Sequence, residues 1–149
     1  MIEFRVEPFS DRLFVDVLPL LKDHYRELRG ETGPVFAPDI QRYWWMANNG
    51  LLRIATAYDG KRLVGYCVNL LSKGLHYSET IYAGNDIFYL APEYRKGTTA
   101  LSFIDFVEQD LATIGVHVAQ WHVKPHPDFS PLLKRRGYHL LETIWEKNL

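Results

Sequence analysis

Apolar and polar residues alternate at the start of the chain, Ile2, Phe4 and Val6 against Glu3, Arg5 and Glu7. A period of two predicts a strand with one buried face, and Pro8 stops it. Leu13, Phe14, Val17, Leu18, Leu21, Tyr25 and Leu28 then recur at helical spacing behind Ser10-Asp11, which reads as a cap. Pro19 falls inside this stretch. Either the helix is kinked there, or it begins late with Asp16 as cap and Pro19 in its first turn. Two glycines and two prolines between Gly30 and Pro38 predict a loop, after which Asp39 can cap a second helix running to Asn48-Asn49-Gly50.

Strand-like runs follow at Leu51 to Tyr58 and Leu63 to Leu71. Asp59-Gly60 between them predicts a hairpin. Ser72 to Ser78 reads as a loop or an irregular strand end, and Ala83 to Ala91 as a further strand closed by Pro92. From Thr98 to Ile114 an apolar stripe of Leu101, Ile104, Val107, Leu111 and Ile114 predicts an amphipathic helix ended by Gly115. Val116 to Val123 is predicted as a strand, Asp128 to Arg136 as a short helix ended by Gly137, and Tyr138 to Trp145 as a last strand. This order predicts an α/β chain with an antiparallel front half and one parallel crossover.

Its 149 residues fit one domain spanning 1–149. A net charge of -1 offers no general field for nucleic acid or an anionic membrane. Anion binding is therefore expected to be local, at Arg95-Lys96 or Lys134-Arg135-Arg136. No apolar run approaches the roughly 20 residues of a membrane helix, the first turn carries charges where a signal peptide would not, and Cys67 has no partner for a disulfide. These features suggest a cytosolic protein. The run Tyr43-Trp44-Trp45 reads as ordinary packing or as a substrate or homodimer surface. No His/Cys/Asp/Glu set has zinc-ligand spacing.

The stretch from Ile87 to Leu101, IFYLAPEYRKGTTAL, carries the candidate chemistry. An apolar strand enters a basic turn of small residues that opens onto the amphipathic helix. A helix N-terminus leaves N–H groups unpaired and favours anions. Small residues admit a ligand to the backbone, and Arg95 and Lys96 add charge-assisted hydrogen bonds. The turn is thus a candidate diphosphate cradle, although any tight strand-to-helix turn uses such residues. It lacks the signatures of a P-loop and of a dinucleotide site.

The stretch resembles the acyl-CoA-binding motif of the GNAT superfamily. Leu90, Pro92, Arg95 and Ala100 match in place, Thr98 stands where the first family glycine is usual, and Gly97 is one position early. The Arg-x-Gly opening is similar to phage-encoded members. The hairpin Tyr58 to Tyr66 is similar to the family's second and third strands, and Leu132 to Tyr138 resembles the Leu-Tyr-x-x-x-Gly-Phe ending of its fourth helix. The resemblance covers nearly the whole chain. It implies an α/β (α+β) fold whose mixed, mostly antiparallel sheet of about six to seven strands carries helices on both faces.

It further implies an N-acetyltransferase that takes acetyl-CoA as co-substrate and a small-molecule or peptide amine as acceptor. Tyr89, Leu90 and Ala91 would hold the pantetheine arm, Leu90 and Ala91 through their main chains. Arg95, Lys96, Gly97, Thr98, Thr99 and Ala100 would hold the diphosphate, with His126 and Phe129 as further contacts. Asp86 is the nearest match to the family base, with His122 as a second candidate. Beside these roles, Asp86 reads as a solvated carboxylate and His122 as a packing residue. The family's general-acid Tyr is matched by Leu133, which leaves water, Tyr138 or His122 to protonate the thiolate. Tyr25 to Gly50, with Glu27, Glu31 and Asp39 beside aromatics, is the expected acceptor wall. A catalytically weak acyl-CoA-binding module, or a protein-interaction module, is the rival reading.

Overall fold

The computed structural model describes residues 1–29 and 33–149. Strand β1 (Ile2–Glu7) leads into α1 (Asp11–Arg29) and α2 (Ile40–Asn48). Three strands follow, β2 (Leu52–Asp59), β3 (Arg62–Gly74) and β4 (Tyr77–Leu90), then a single 3-10 turn at Pro92–Tyr94. The remaining elements are α3 (Thr99–Thr113), β5 (Val118–Trp121) and α4 (Ser130–Lys134). The five strands form one sheet in the order β1-β2-β3-β4-β5, antiparallel throughout except for the parallel pair β4–β5. Helix α3 supplies the crossover between those two.

The sheet is buried on both faces. Ala55, Cys67, Ala83 and Leu90 pack against Phe103, Val107 and Leu111 of α3. Ile54, Tyr66, Val68 and Tyr89 pack under α1 and α2 with Phe9 and Leu13. Neighbours along a strand therefore serve opposite cores, and this double burial makes β2 and β3 read as continuous apolar runs.

The caps form as their side chains require. Ser10 Oγ accepts the Leu13 N–H at 3.0 Å, and Asp39 Oδ1 accepts the Arg42 N–H at 3.0 Å. Helix α1 starts at Asp11, so a late start with Asp16 as cap is overturned. Pro19 and Val15 are both exposed, which lets water satisfy the carbonyl that a proline nitrogen leaves unbonded. Tyr43 stacks on Phe9 at 5.3 Å, and Trp44 meets Phe9 edge-on and donates Nε1 to Asp11 Oδ1. Of the three consecutive aromatics, Trp45 is the most exposed, at 58%.

Two other expectations are corrected, and one open alternative is decided. Among the described residues the sheet has five strands, not six to seven, because Tyr138 to Trp145 joins none. Ser72 to Ser78, which reads as a loop or an irregular strand end, is the latter: β3 and β4 continue as a ribbon, with a register shift between Lys73 and Gly74, to the pair Gly74↔Tyr77. Lys73, Tyr77 and Ser78 there are exposed, so no burial imposes an alternation on the sequence. The last helix and the fifth strand are also shorter than their sequence patterns, at Ser130–Lys134 and Val118–Trp121.

Candidate functional site

The site begins where β4 parts from β5. Their ladder runs from Tyr82↔Val118 to Asn85↔Trp121 and stops. On the other side of β4, Asn69 faces Asn85 while Val68 faces Ile87, which leaves Asp86 as the extra residue of a bulge. A bulge bends its strand and re-aims a side chain. Asn85, 1% exposed, spans this one by donating Nδ2 to the Ile87 carbonyl at 3.0 Å.

Beyond the bulge β4 keeps β3 on one side and, among the described residues, has no strand on the other. The Ala91 N–H is bonded to the Val64 carbonyl at 2.8 Å. By strand alternation Leu90 and Phe88 therefore turn their main-chain groups to the open side. This corrects the expected pair of Leu90 and Ala91, since the Ala91 N–H is already committed to β3. Phe88 was legible from the same alternation, once Leu90 was set facing the gap.

The gap widens into a cavity of about 690 Å³. Asp86, Phe88, Tyr89 and Leu90 of β4 line it with Arg95 and Ala100, as do His122, Lys124, Phe129 and Leu132 from beyond β5, and the Phe88 and Phe129 rings meet at 5.3 Å. His24, Tyr25 and Glu27 of α1, segment 34–38 and Tyr43 complete the lining. Ala91, Lys96, Gly97, Thr98, Thr99 and His126 are outside this lining. Asp39 serves as the α2 cap, and Glu31 lies outside the described residues.

Asp86 lines the cavity and keeps a solvent-exposed surface, yet its neighbours crowd it. That desolvation raises its carboxyl pKa, against the pull of His122, Arg42 and Lys124. His24 lines the cavity at 8% exposure, its Nδ1 2.9 Å from the Tyr66 hydroxyl. Burial, helped by Arg95 and opposed by Glu27, lowers its pKa to about 4. The imidazole is therefore neutral near pH 7, and only one of this pair donates. His24 escaped sequence reasoning, although its place three residues after Leu21 set it on the apolar stripe of α1.

Arg95 is held from three sides. Its Nε donates to the Leu90 carbonyl at 2.7 Å, and its two terminal nitrogens bind the Glu27 carboxylate at 2.8 and 2.7 Å. The guanidinium carbon lies 5.3 Å from the Tyr89 ring centroid. The turn that follows is open. Gly97 takes a φ of +72°, which an L side chain rarely adopts, and nothing lies within 4 Å of where its Cβ would be. Thr98 gives α3 no side-chain cap, so the first N–H groups of the helix have no side-chain acceptor.

Leu133 is 6% exposed in the core and does not line the cavity. A tyrosine there would overpack the core, where inserted bulk typically costs about 1–3 kcal/mol. Leu133→Tyr should therefore lower the melting temperature without adding an acid, while Leu132→Tyr places a hydroxyl at the cavity wall. A fully stable Leu133→Tyr variant with raised activity would contradict this placement. Tyr138 is no candidate acid either. It meets Trp121 edge-on at 6.5 Å and lines a separate groove with Glu108 and His117.

Among the described residues no cluster of three or more potential metal ligands occurs, and no helix is long and apolar enough to cross a membrane. No protein-family model and no curated protein matches the sequence. Solved structures do match in shape. An aminoglycoside acetyltransferase from an uncultured soil metagenomic sample superposes with a TM-score of 0.76 at 11% identity, over 99% of this chain and 96% of that one. A predicted acetyltransferase with acetyl-CoA from Clostridium acetobutylicum gives 0.71 at 14%, over 99% and 96%. A ribosomal-protein-alanine N-acetyltransferase from Brucella melitensis biovar Abortus 2308 gives 0.68 at 13%, over 100% and 97%. With its antiparallel strands, single parallel crossover and parted β4 and β5, the chain has the GNAT fold that these acetyltransferases share.

Proposed function

We propose that the chain is an N-acetyltransferase that uses acetyl-CoA to acetylate a primary amine. One observation carries this reading: β4 is open on one side from Ile87 to Leu90, beside a cavity of about 690 Å³, next to an uncapped helix start. An extended amide-bearing arm can bond to the outward main-chain groups of Phe88 and to the Leu90 N–H as an added strand would, the Leu90 carbonyl being bonded to Arg95. The first turn of α3 and the Gly97 turn suit a diphosphate. The acceptor amine enters between α1, segment 34–38 and Asp86.

The thioester supplies an activated acyl group. The chain's own residues have three tasks. The residues lining the gap hold amine and carbonyl together, which removes an entropic part of the barrier. An outward N–H of β4 stabilises the charge that develops on the carbonyl oxygen. Asp86 accepts the proton of an ammonium acceptor, whose pKa is about 10.4 for a lysine-like amine. No hydroxyl or thiol stands at Leu133 to return a proton to the thiolate, so water or His122 fills that role.

The absent acid and the Arg95–Glu27 pair favour one second reading, an acyl-CoA-binding module with weak turnover. Calorimetry and thiol release separate the possibilities. Acetyl-CoA should bind, and a pantetheine fragment without the diphosphate should bind at least about tenfold more weakly, as the loss of one charged hydrogen bond of about 1.5 kcal/mol requires. Thiol release that depends on an added amine supports the enzyme. Binding without release supports the module, and no binding overturns both.

A further inference from the structure

His24 lines the cavity from α1 and is held from two directions. Its Nδ1 lies 2.9 Å from the Tyr66 hydroxyl, and its ring centroid is 4.9 Å from that of Tyr89. Tyr66 is fully buried in turn and stacks on Tyr89 at 5.7 Å. Among the described residues the Tyr66 hydroxyl has no hydrogen-bond partner except His24. If Nδ1 carried the proton and donated, the hydroxyl hydrogen would be buried with nothing to receive it, a state that folded chains avoid. The hydroxyl therefore donates to Nδ1, and the imidazole proton sits on Nε2.

Neither group ionises near neutral pH. Burial lowers the His24 pKa to about 4 and pushes the Tyr66 phenol well above its ordinary value. The pair is thus no acid or base relay. What it presents is a neutral N–H of fixed direction. Nε2 has no protein partner among the described residues, yet it is not sealed from solvent as Trp121 Nε1 is. It opens to the cavity. Tyr66 and Tyr89 belong to the core under α1 and α2, so this N–H stands on the face of the sheet assigned to the amine, not in the gap assigned to the acyl donor.

A desolvated N–H of this kind calls for an acceptor atom on the ligand. Glu27 follows His24 by three residues on α1, and its charge acts on the imidazole. An anionic group at Nε2 would meet that carboxylate, so an uncharged oxygen fits better. We propose that His24 determines acceptor specificity, with Tyr66 as its positioning residue, by donating Nε2–H to a hydroxyl or amide carbonyl oxygen of the acceptor. The acceptor class is then a primary amine bearing an uncharged oxygen, an amino alcohol or an amino amide. This rests on the acetyltransferase reading of the cavity.

Thiol release from acetyl-CoA is compared for matched primary amines that differ by one hydroxyl in one arm and by one amide carbonyl in the other. The native chain should favour the oxygen-bearing member of at least one arm by about 3- to 10-fold in kcat/KM, the worth of one neutral hydrogen bond. The arm that responds names the oxygen. His24→Phe should abolish the preference, while His24→Gln, which keeps an N–H donor, should retain part of it. Tyr66→Phe should weaken it, since Nδ1 loses the hydrogen bond that fixes the tautomer. Nitrogen-15 spectra of the native imidazole give a readout without turnover: Nε2 should be protonated and Nδ1 bare at neutral pH. A protonated Nδ1 overturns the proposal. So does thiol release with no preference in either arm, or a preference that survives His24→Phe. If no amine releases thiol, the acetyltransferase reading fails and takes the proposal with it, a result distinct from release without preference.

Discussion

Asp86→Asn should lower turnover with a cationic acceptor by about 10²–10⁴-fold, the usual worth of a positioned base, and leave acetyl-CoA affinity unchanged. Asp86 stands on the bulge and is not one of the main-chain groups assigned to the donor, which begin at Phe88. Desolvation raises its pKa, so the carboxylate is lost on acidification at a higher pH than an ordinary aspartate near 3.9. The native rate should fall through that acid limb. The Asn variant has no such limb, and its rate should climb with the neutral fraction of the amine. Stability should change in the opposite direction. A carboxyl whose folded pKa is raised above its unfolded value penalises the fold once pH exceeds the folded pKa, and imposes no penalty below the unfolded one. Asp86→Asn should thus raise the melting temperature at neutral pH and not in strong acid. A variant with native turnover and a native pH profile would make Asp86 a solvated carboxylate with no part in proton transfer.

The elements were legible where local chemistry decides them. Ser10 and Asp39 cap the helices that their positions announced, Gly60 turns the β2–β3 hairpin, and Ile104, Val107 and Leu111 of the α3 stripe are buried, while Leu101 is half-buried and Ile114 exposed. What the sequence could not convey depends on neighbours brought in from elsewhere. Tyr138 to Trp145 has the residues of a strand, but a strand exists only with a partner. The ribbon at Ser72 to Ser78 is paired yet exposed, so it carries no alternation. Within the site, the strand-to-helix turn and Asp86 were visible as a motif with its preceding strand. The bulge that re-aims Asp86 arises from the register between β3 and β4, which no spacing in one strand reveals. The long-range ties of His24 to Tyr66 and of Glu27 to Arg95 were equally hidden, since each joins α1 to the sheet or its edge.

Arg95 is the residue for which motif and geometry make different demands. The resemblance assigns it to the diphosphate, while the structure sets it on Glu27 and the Leu90 carbonyl. Both hold if acetyl-CoA draws the guanidinium from Glu27, because Arg95 follows directly after the turn at Pro92–Tyr94 and a short rotation of a long side chain separates the two. Arg95→Ala should then weaken acetyl-CoA binding by about 10- to 150-fold, the equivalent of about 1.5–3 kcal/mol for a charged hydrogen bond. Glu27→Gln should do the reverse. With the competing carboxylate removed, acetyl-CoA should bind about 2- to 10-fold more tightly, for an interaction of about 0.5–1.5 kcal/mol. A cationic acceptor should bind less well, since Glu27 is the carboxylate that the donor would release into the acceptor wall. Both variants lose the tie between α1 and β4, so both should melt at lower temperature, and melting alone cannot distinguish the roles. The donor dissociation constant does. If it is unchanged by Arg95→Ala and by Glu27→Gln alike, Arg95 is a brace between α1 and the end of β4, and the diphosphate is held by the α3 N-terminus without it.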